Sequence, residues 1–190
     1  MKSFFDLTVS LTALIICLLP ILFLVLAIRI SSNESIFFWS RRVGVNNKIF
    51  YMPKFRTMRS DTPQLASHLM KDADNFYTPL GRFLRKSSLD ELPQLISIIK
   101  GDMSLVGPRP NVKKETDLYT DIENDLLSVK PGITDISSIV FSDEGDILAD
   151  KADPDLAYNQ LIRPWKSRLG LIYIKNQYIY MKNIVILING

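Results

Sequence analysis

The chain has 190 residues, 47% of them hydrophobic, and its 23 basic and 20 acidic residues give a formal net charge of +3 at pH 7. This length fits one domain, or one domain with a membrane segment, and the small net charge does not favour nucleic acid as a partner. One cysteine, Cys17, excludes intrachain disulfides, and one cysteine with one histidine, His68, cannot build a zinc site. Carboxylates are therefore favoured for the chemistry, with Mg²⁺ or Mn²⁺ as the expected metal.

An apolar segment near the N-terminus is the first element along the chain. Residues 7–28 carry no charge, and as a helix they would reach about 33 Å, enough to span a bilayer core. The run is too long for a cleaved signal peptide, and no small-x-small cleavage site follows before Arg29. Pro20 lies near its middle, where it removes one helical hydrogen bond and predicts a kink.

Two membrane topologies are open for this segment, a spanning helix and a re-entrant one. Positive charge flanks both ends, with Lys2 before it and Arg29, Arg41 and Arg42 after it. If both flanks stay in the cytoplasm, the segment enters the membrane and returns on the same side. We therefore predict a membrane-embedded re-entrant helix at 1–30 and a catalytic domain on the cytoplasmic face at 31–190.

The remainder of the chain predicts an α+β fold. Aromatic and β-branched runs at 36–39 and 48–51, with a turn at 44–47, predict a small β-hairpin. Interleaved basic and apolar residues at 54–59 are typical of a membrane interface. A short strand is expected at 103–106. Helices, some of them interfacial and amphipathic, are expected at 62–74, 80–86, 93–100, 111–128 and 154–169.

Two adjacent carboxylates, Asp90 and Glu91, are the strongest candidates for chemistry. Proline prefers the first helical position, so we expect a helix to begin at Pro93, with both carboxylates just outside it. The positive end of the helix dipole favours their charged forms, as a nucleophile or metal ligand requires. A structural interpretation stays open, because Ser88-x-x-Glu91 matches a capping box.

Two arginines near these carboxylates are candidates for phosphate binding. Arg85 lies five residues before Asp90, and Arg109 stands between Pro108 and Pro110, which fix the backbone around it. A forked guanidinium binds phosphate at two points. The alternatives are a solvated basic face at Arg85 and a plain rigid turn at Arg109. The acidic run at 143–146 is typical of a solvated loop, and a metal role there is less favoured.

Four blocks, taken in order, carry a resemblance to a known family. They read Lys54-Phe55-Arg56-Thr57-Met58, Ser88-Leu89-Asp90-Glu91-Leu92-Pro93-Gln94-Leu95, Gly101-Asp102-Met103-Ser104-Leu105-Val106-Gly107-Pro108-Arg109-Pro110 and Lys130-Pro131-Gly132-Ile133-Thr134. The chain resembles the bacterial sugar transferase family, the small monotopic phosphoglycosyl transferases, from about residue 6 to residue 134. The Asp-Glu and Gly-Pro-Arg-Pro blocks in this order are more specific than either block alone.

The resemblance implies a reaction at the cytoplasmic face of the bacterial inner membrane. A UDP-sugar binds with Mg²⁺, Asp90 attacks its β-phosphate, UMP leaves, and undecaprenyl phosphate accepts the phosphosugar from the covalent aspartyl intermediate. Glu91 is then expected to hold Mg²⁺ and to share in catalysis. Arg85 is expected to bind phosphate, and Arg109, within 108–110, to lie at the nucleotide. Membrane lipids and, as an option, a second copy of the chain are further expected partners.

Departures from the family's usual pattern leave the sugar open. Leu19-Pro20 stands where Ser-Pro is frequent, Gly170 where an aspartate is common, and the chain continues with Asp135-Ile136-Ser137 where many members have Gly-x-Ala. Sugar contacts are therefore not carried over. Two rival functions also stay open: an inactive membrane-anchored scaffold in glycan assembly, and another Mg²⁺-dependent phosphotransferase with a lipid substrate.

Overall fold

The computed structural model describes residues 2–63, 73–149 and 151–189. Its first two helices, α1 (Lys2–Ile16) and α2 (Leu18–Ser31), meet at Cys17 with a bend of 59°. Pro20 is the third residue of α2 and has no N–H to donate to the carbonyl one turn earlier, so the helical ladder is interrupted here. The predicted kink is present, but the bend falls at Cys17 rather than at Pro20 itself.

Helices α1 and α2 leave most of their large apolar side chains exposed, Ile30 by as much as 85%. Within the described ranges no single helix is both long and apolar enough to cross a membrane, and only the bent α1–α2 pair passes that test together. One face of the pair packs inward, where Leu24 and Ile28 of α2 join Phe55 and Leu84 in a buried cluster.

A β-hairpin follows, formed by β1 (Phe37–Val43) and β2 (Ile49–Phe55). This confirms the predicted hairpin and lengthens both strands. Asn46 and Asn47 adopt positive φ angles of 54° and 61° in the turn, a region that asparagine enters more readily than most residues. Phe55 is only 1% exposed because it packs into the cluster with α2. That residues 54–59 lie at a membrane interface stays a prediction.

Three short helical elements follow: the first places Leu84 in the cluster with Phe55, the second packs against β2, and the third packs against α1 and β2. They are α3 (Gly81–Lys86), a 3₁₀ helix (Leu89–Gln94) and α4 (Leu95–Ile99). The helix predicted at 80–86 is confirmed. The helix predicted at 62–74 lies mostly outside the described residues.

A second, parallel strand pair joins β3 (Ser104–Val106) to β4 (Gly132–Thr134). At the end of β3, Gly107 lies against Gly132 so closely that a Cβ on Gly132 would meet the Gly107 nitrogen at 2.2 Å. Only glycine, which has no Cβ, allows the two backbones to lie this close together. The crossing places two of the four sequence blocks side by side.

The connection between β3 and β4 corrects a prediction. Instead of one helix at 111–128, the chain forms α5 (Lys113–Thr116) and a 3₁₀ helix (Glu123–Ser128). Between them the Thr120 hydroxyl accepts from the Glu123 N–H, and the Glu123 carboxylate accepts from the Thr120 N–H. This is a capping box, so a new helical segment begins there.

The C-terminal part is helical and covers one side of the parallel strand pair. Its elements are α6 (Ile136–Val140), α7 (Glu144–Ala149), α8 (Pro154–Ala157), a π-helical turn (Tyr158–Ile162) and α9 (Arg163–Asn189). The helical prediction at 154–169 is confirmed, whereas the predicted acidic loop at 143–146 is wrong, because α7 begins within it. Helices with two small sheets confirm the α+β class.

Candidate active site

The two carboxylates lie in what we call the carboxylate turn, the 3₁₀ helix Leu89–Gln94. Our prediction that Asp90 and Glu91 precede a helix beginning at Pro93 is therefore wrong. Ser88 leads into the turn with a φ of 57°, and its side chain makes no capping bond, so the predicted capping box is not formed. The helix begins early because the left-handed Ser88 redirects the chain after α3, and its carbonyl accepts from the Glu91 N–H.

Asp90 and Glu91 are neighbours, but the protein shifts their pKa values in opposite directions. Asp90 is 6% exposed, and burial raises its pKa against the opposing positive charges of Lys54 and Arg85. Burial alone would also raise the pKa of Glu91, but the charges of Lys54 and Arg109 outweigh it and hold that pKa below its usual value. A buried carboxylate with a perturbed pKa is typical of a functional group, so Asp90 is the candidate reactive group and Glu91 its charged support.

Glu91 forms ion pairs with two cationic side chains from different parts of the fold. Its Oε1 accepts from Lys54 Nζ at 2.6 Å and from Arg109 Nη2 at 3.1 Å. The Lys54 and Glu91 side chains are 16% and 19% exposed, so water screens their contact weakly, whereas Arg109 is 44% exposed and accessible to a ligand. The sequence pattern at 54–59 predicted a membrane interface for Lys54. That interface stays a prediction, and the structure adds a second feature, because the hairpin turns this side chain toward Glu91.

The Arg109 segment, residues 107–111, follows β3 directly. The Gly107 N–H donates to the Thr134 carbonyl at 3.1 Å, and the Pro108 carbonyl accepts from the Gly132 N–H at 2.9 Å. The first bond lies beside the Val106–Thr134 pairing, and the second returns from Pro108 to Gly132 at the start of β4. These bonds attach the Pro-Arg-Pro segment to β4, and its guanidinium reaches Glu91.

A cavity of about 430 Å³ opens beside the Arg109 segment. Its lining includes Arg85, Pro108, Arg109 and Pro110, all predicted as binding residues, together with the basic side chains of Arg42, Arg163 and Lys166. Asp90 and Glu91 do not belong to the described lining of this cavity. Two of the lining arginines act on them: Arg109 pairs with Glu91, and the charge of Arg85 lowers the pKa of Asp90. The volume suits a small-molecule site, and its basic lining suits a phosphate ester.

The acidic run at 143–146 has a structural explanation. Glu144 begins α7 and pairs with Lys166 of α9 across the cavity. Sequence reasoning missed Lys166, Arg42 and Arg163, because nothing in their spacing ties them to the four blocks.

Whether these residues suit Mg²⁺ depends on the oxygen donors that they offer. The described part of the chain contains no group of three or more His, Cys, Asp or Glu side chains that could hold a metal. Mg²⁺ at phosphate sites commonly binds one or two carboxylates plus substrate phosphates and waters. Asp90 and Glu91 supply such a pair, so the donors fit a Mg²⁺ that arrives with a diphosphate and shares Glu91 with Lys54 and Arg109.

Comparisons with known proteins show what the whole chain is similar to. The profile of the family described as "Bacterial sugar transferase" matches residues 1–187. The chain is 40% identical over 149 residues to "Galactosyl transferase CpsE" of Streptococcus agalactiae, covering 73% of this chain and 33% of that protein. It is 41% identical over 134 residues to "Uncharacterized sugar transferase EpsL" of Bacillus subtilis, covering 70% and 65%.

A third relative carries a more specific name. The chain is 38% identical over 149 residues to "Undecaprenyl-phosphate galactose phosphotransferase" of Salmonella typhimurium, covering 70% of this chain and 31% of that protein. The chain thus spans about a third of two of these relatives and just under two thirds of the other.

Proposed function

Because the chain belongs to the bacterial sugar transferase family, we propose that it moves a phosphosugar from a UDP-sugar to undecaprenyl phosphate and releases UMP. The observation that carries this proposal is the buried Asp90 beside Glu91, which Lys54 and Arg109 hold in place. Relatives named as undecaprenyl-phosphate sugar transferases support the acceptor. In a cell this would be the first membrane step of a surface glycan.

The proposed reaction has two displacements at one phosphorus atom. An oxygen of Asp90 attacks the β-phosphorus of the UDP-sugar, the bridging P–O bond breaks, and UMP leaves with the electron pair. A phosphate oxygen of undecaprenyl phosphate then attacks the same phosphorus, and Asp90 leaves as a free carboxylate. Arg85 and Arg109 bind the diphosphate oxygens. Lys54 keeps Glu91 ionised and lowers the pKa of Asp90, which favours the ionised carboxylate that attacks.

Mg²⁺ is part of the proposal, with Glu91 as its ligand and Asp90 beside it. When bound, the ion would neutralise charge on the diphosphate. We expect EDTA to stop turnover and added Mg²⁺ to restore it. Full activity in EDTA would contradict the metal role.

The experiment that tests the proposed function is a donor panel. Purified full-length chain is mixed with undecaprenyl phosphate, Mg²⁺ and each of several UDP-sugars, and UMP release is measured. UMP with one or more donors supports the transferase. No UMP with any donor would favour the inactive scaffold, and lipid phosphorylation by another donor, without UMP release, would favour a different phosphotransferase.

We further propose that α1 and α2 form a re-entrant segment on the cytoplasmic face of the plasma membrane. Contacts of the first turns of α1 support this: Lys2 Nζ donates to the Val106 carbonyl at 2.8 Å, and Asp6 accepts from the Ser104 hydroxyl at 2.7 Å. The far end of α2 packs on the same body through Ile28. A spanning helix would put these two sets of contacts on opposite sides of the bilayer.

Cysteine labelling tests this topology. In a Cys17→Ala background, Ser3→Cys reports the start of α1 and Asn33→Cys the chain after α2; both native residues are exposed. An impermeant reagent should miss both cysteines in intact cells and label both in inverted membrane vesicles. Labelling of Ser3→Cys alone in intact cells would mean a spanning helix, and the transferase proposal would stand.

A further inference from the structure

Asp135 makes more contacts than a helix cap requires. It is 8% exposed at the start of α6, where its carboxylate accepts from the Ser138 N–H and from the Ser137 hydroxyl at 2.9 Å. The oxygen that meets Ser137 also accepts from the backbone N–H of Arg109 at 3.1 Å. Capping needs only the Ser138 bond, so the Arg109 contact is an additional link between α6 and the Arg109 segment.

Within residues 108–110, Arg109 supplies the one backbone N–H. Pro108 and Pro110 have no backbone N–H, so the three residues together offer one backbone donor, and Asp135 accepts it. On the other side, Arg42 Nη1 of β1 donates to the Pro110 carbonyl at 3.2 Å. Charged side chains therefore hold the Arg109 backbone from two directions, while its own guanidinium reaches Glu91.

We propose that Asp135 is a positioning residue: by holding the Arg109 backbone, it keeps the guanidinium between Glu91 and the cavity. The proposal rests on the proposed function, in which Arg109 binds the diphosphate of the donor, and adds a residue that acts through Arg109.

A matched control comes from a second aspartate. Asp153 caps α8 by accepting from the Leu156 N–H at 3.0 Å, and it is exposed. Asp153→Ala therefore removes a helix cap alone, whereas Asp135→Ala removes a cap and the Arg109 contact. Asp135→Asn has one carbonyl oxygen in place of two carboxylate oxygens, so it can keep the cap or the Arg109 bond in full, but not both.

Amide hydrogen exchange of the full chain in detergent tests the link directly, since Arg109 has the one exchangeable amide between two prolines. Losing a hydrogen bond to a carboxylate should speed its exchange about ten-fold or more in Asp135→Ala, and by an intermediate amount in Asp135→Asn. Asp153→Ala should leave it unchanged. Unchanged exchange in Asp135→Ala would overturn the proposal.

A double-mutant cycle tests the consequence for catalysis. Asp135→Ala should lower kcat/KM for the UDP-sugar about ten-fold in the wild-type background, but less than about two-fold in an Arg109→Ala background, because its partner is already gone. An equal loss in both backgrounds would mean a general structural role and would overturn the proposal. If the wild-type chain releases no UMP with any donor, the proposed function fails, and the exchange measurement still decides whether Asp135 holds Arg109.

Discussion

The carboxylate turn and the Arg109 segment meet at one ion pair, yet different forces hold them. The turn depends on side-chain charge, because Lys54 and Arg109 neutralise Glu91. The Arg109 segment depends on backbone bonds to β4 and on the contact of Gly107 with Gly132. The side chains of Asp135 and Arg42 also hold the backbone of this segment. Removing the charge of Glu91 should therefore act on the turn, and adding a side chain at Gly132 on the segment, so each change has the other region as its reference.

The largest effect is expected at Asp90. Asp90→Asn should lower UMP release by about three orders of magnitude or more, since the nucleophile is lost. Burial raises the pKa of Asp90, so its ionisation destabilises the fold progressively as pH rises above about 3.8, and at pH 7 that cost is present. The variant should thus melt no lower than wild type at pH 7. Near-normal UMP release would show that Asp90 is not the nucleophile.

Glu91→Gln should lower both activity and stability, in contrast to Asp90→Asn. Loss of this charge should reduce kcat/KM about a hundred-fold or more. Because the pKa of Glu91 is lowered by its partners, its ionisation stabilises the fold above about pH 4.5, and this is lost as pH falls through the lowered pKa. Melting curves at several pH values, with the exposed Asp121→Asn as control, measure the difference. Equal melting of Glu91→Gln and wild type at pH 7 would contradict it.

Arg109→Ala should harm catalysis with little effect on folding, since backbone bonds hold its segment. Loss of a charge-assisted contact is worth about 1.5–3 kcal/mol, or about ten- to a hundred-fold in kcat/KM. Arg109→Lys should restore only part, because an ammonium lacks the fork. Steady-state kinetics and melting, with the exposed Arg41→Ala as control, check both points. A large drop in melting temperature would instead make Arg109 structural.

Gly132→Ala should push the backbones of Gly132 and Gly107 apart and lower the stability of the fold. A Cβ there would meet Gly107 backbone atoms at 2.2 and 2.5 Å, and backbone has little room to yield. We expect a loss of about 1–3 kcal/mol in the free energy of unfolding, measured by denaturation in detergent. Gly145→Ala is the control, because its Cβ meets nothing within 4 Å. Equal stability of the two variants would mean that the glycine contact is not needed.

Lys54→Met should produce the smallest effect, a shift of a pH profile. The charge of Lys54 lowers the pKa of Asp90 against the larger effect of burial, so removing it raises that pKa. Asp90 must be ionised to attack, and the acid limb of kcat/KM should therefore move to higher pH. Lys48→Met, an exposed position on the same hairpin, should leave the limb unchanged. An unmoved limb in Lys54→Met would mean that Lys54 does not act on the nucleophile.

Local signals predicted much of the fold, and they failed where two signals competed. The hairpin, the helix at 80–86 and the kinked apolar segment followed from residue types and spacing. The helix expected at 111–128 failed because the capping box at Thr120 and Glu123 starts a new helical segment inside the amphipathic pattern that predicted one continuous helix. The prediction that a helix starts at Pro93 failed because Ser88 adopts a positive φ, which a serine at this position does not predict.

The candidate site divides in a similar way. By itself, the sequence determined the candidates for the chemistry: Asp90, Glu91, Arg85 and Arg109 stand in or beside ordered blocks whose residue types suit phosphate chemistry. Only the tertiary structure decided in which direction the pKa of each of the two carboxylates shifts. Lys54, 37 positions from Glu91 in the sequence, bonds to it and lowers the pKa of both carboxylates; burial outweighs this at Asp90, whereas Lys54 and Arg109 together outweigh burial at Glu91. Charge interactions depend on distance and burial in space, which spacing along a chain does not encode.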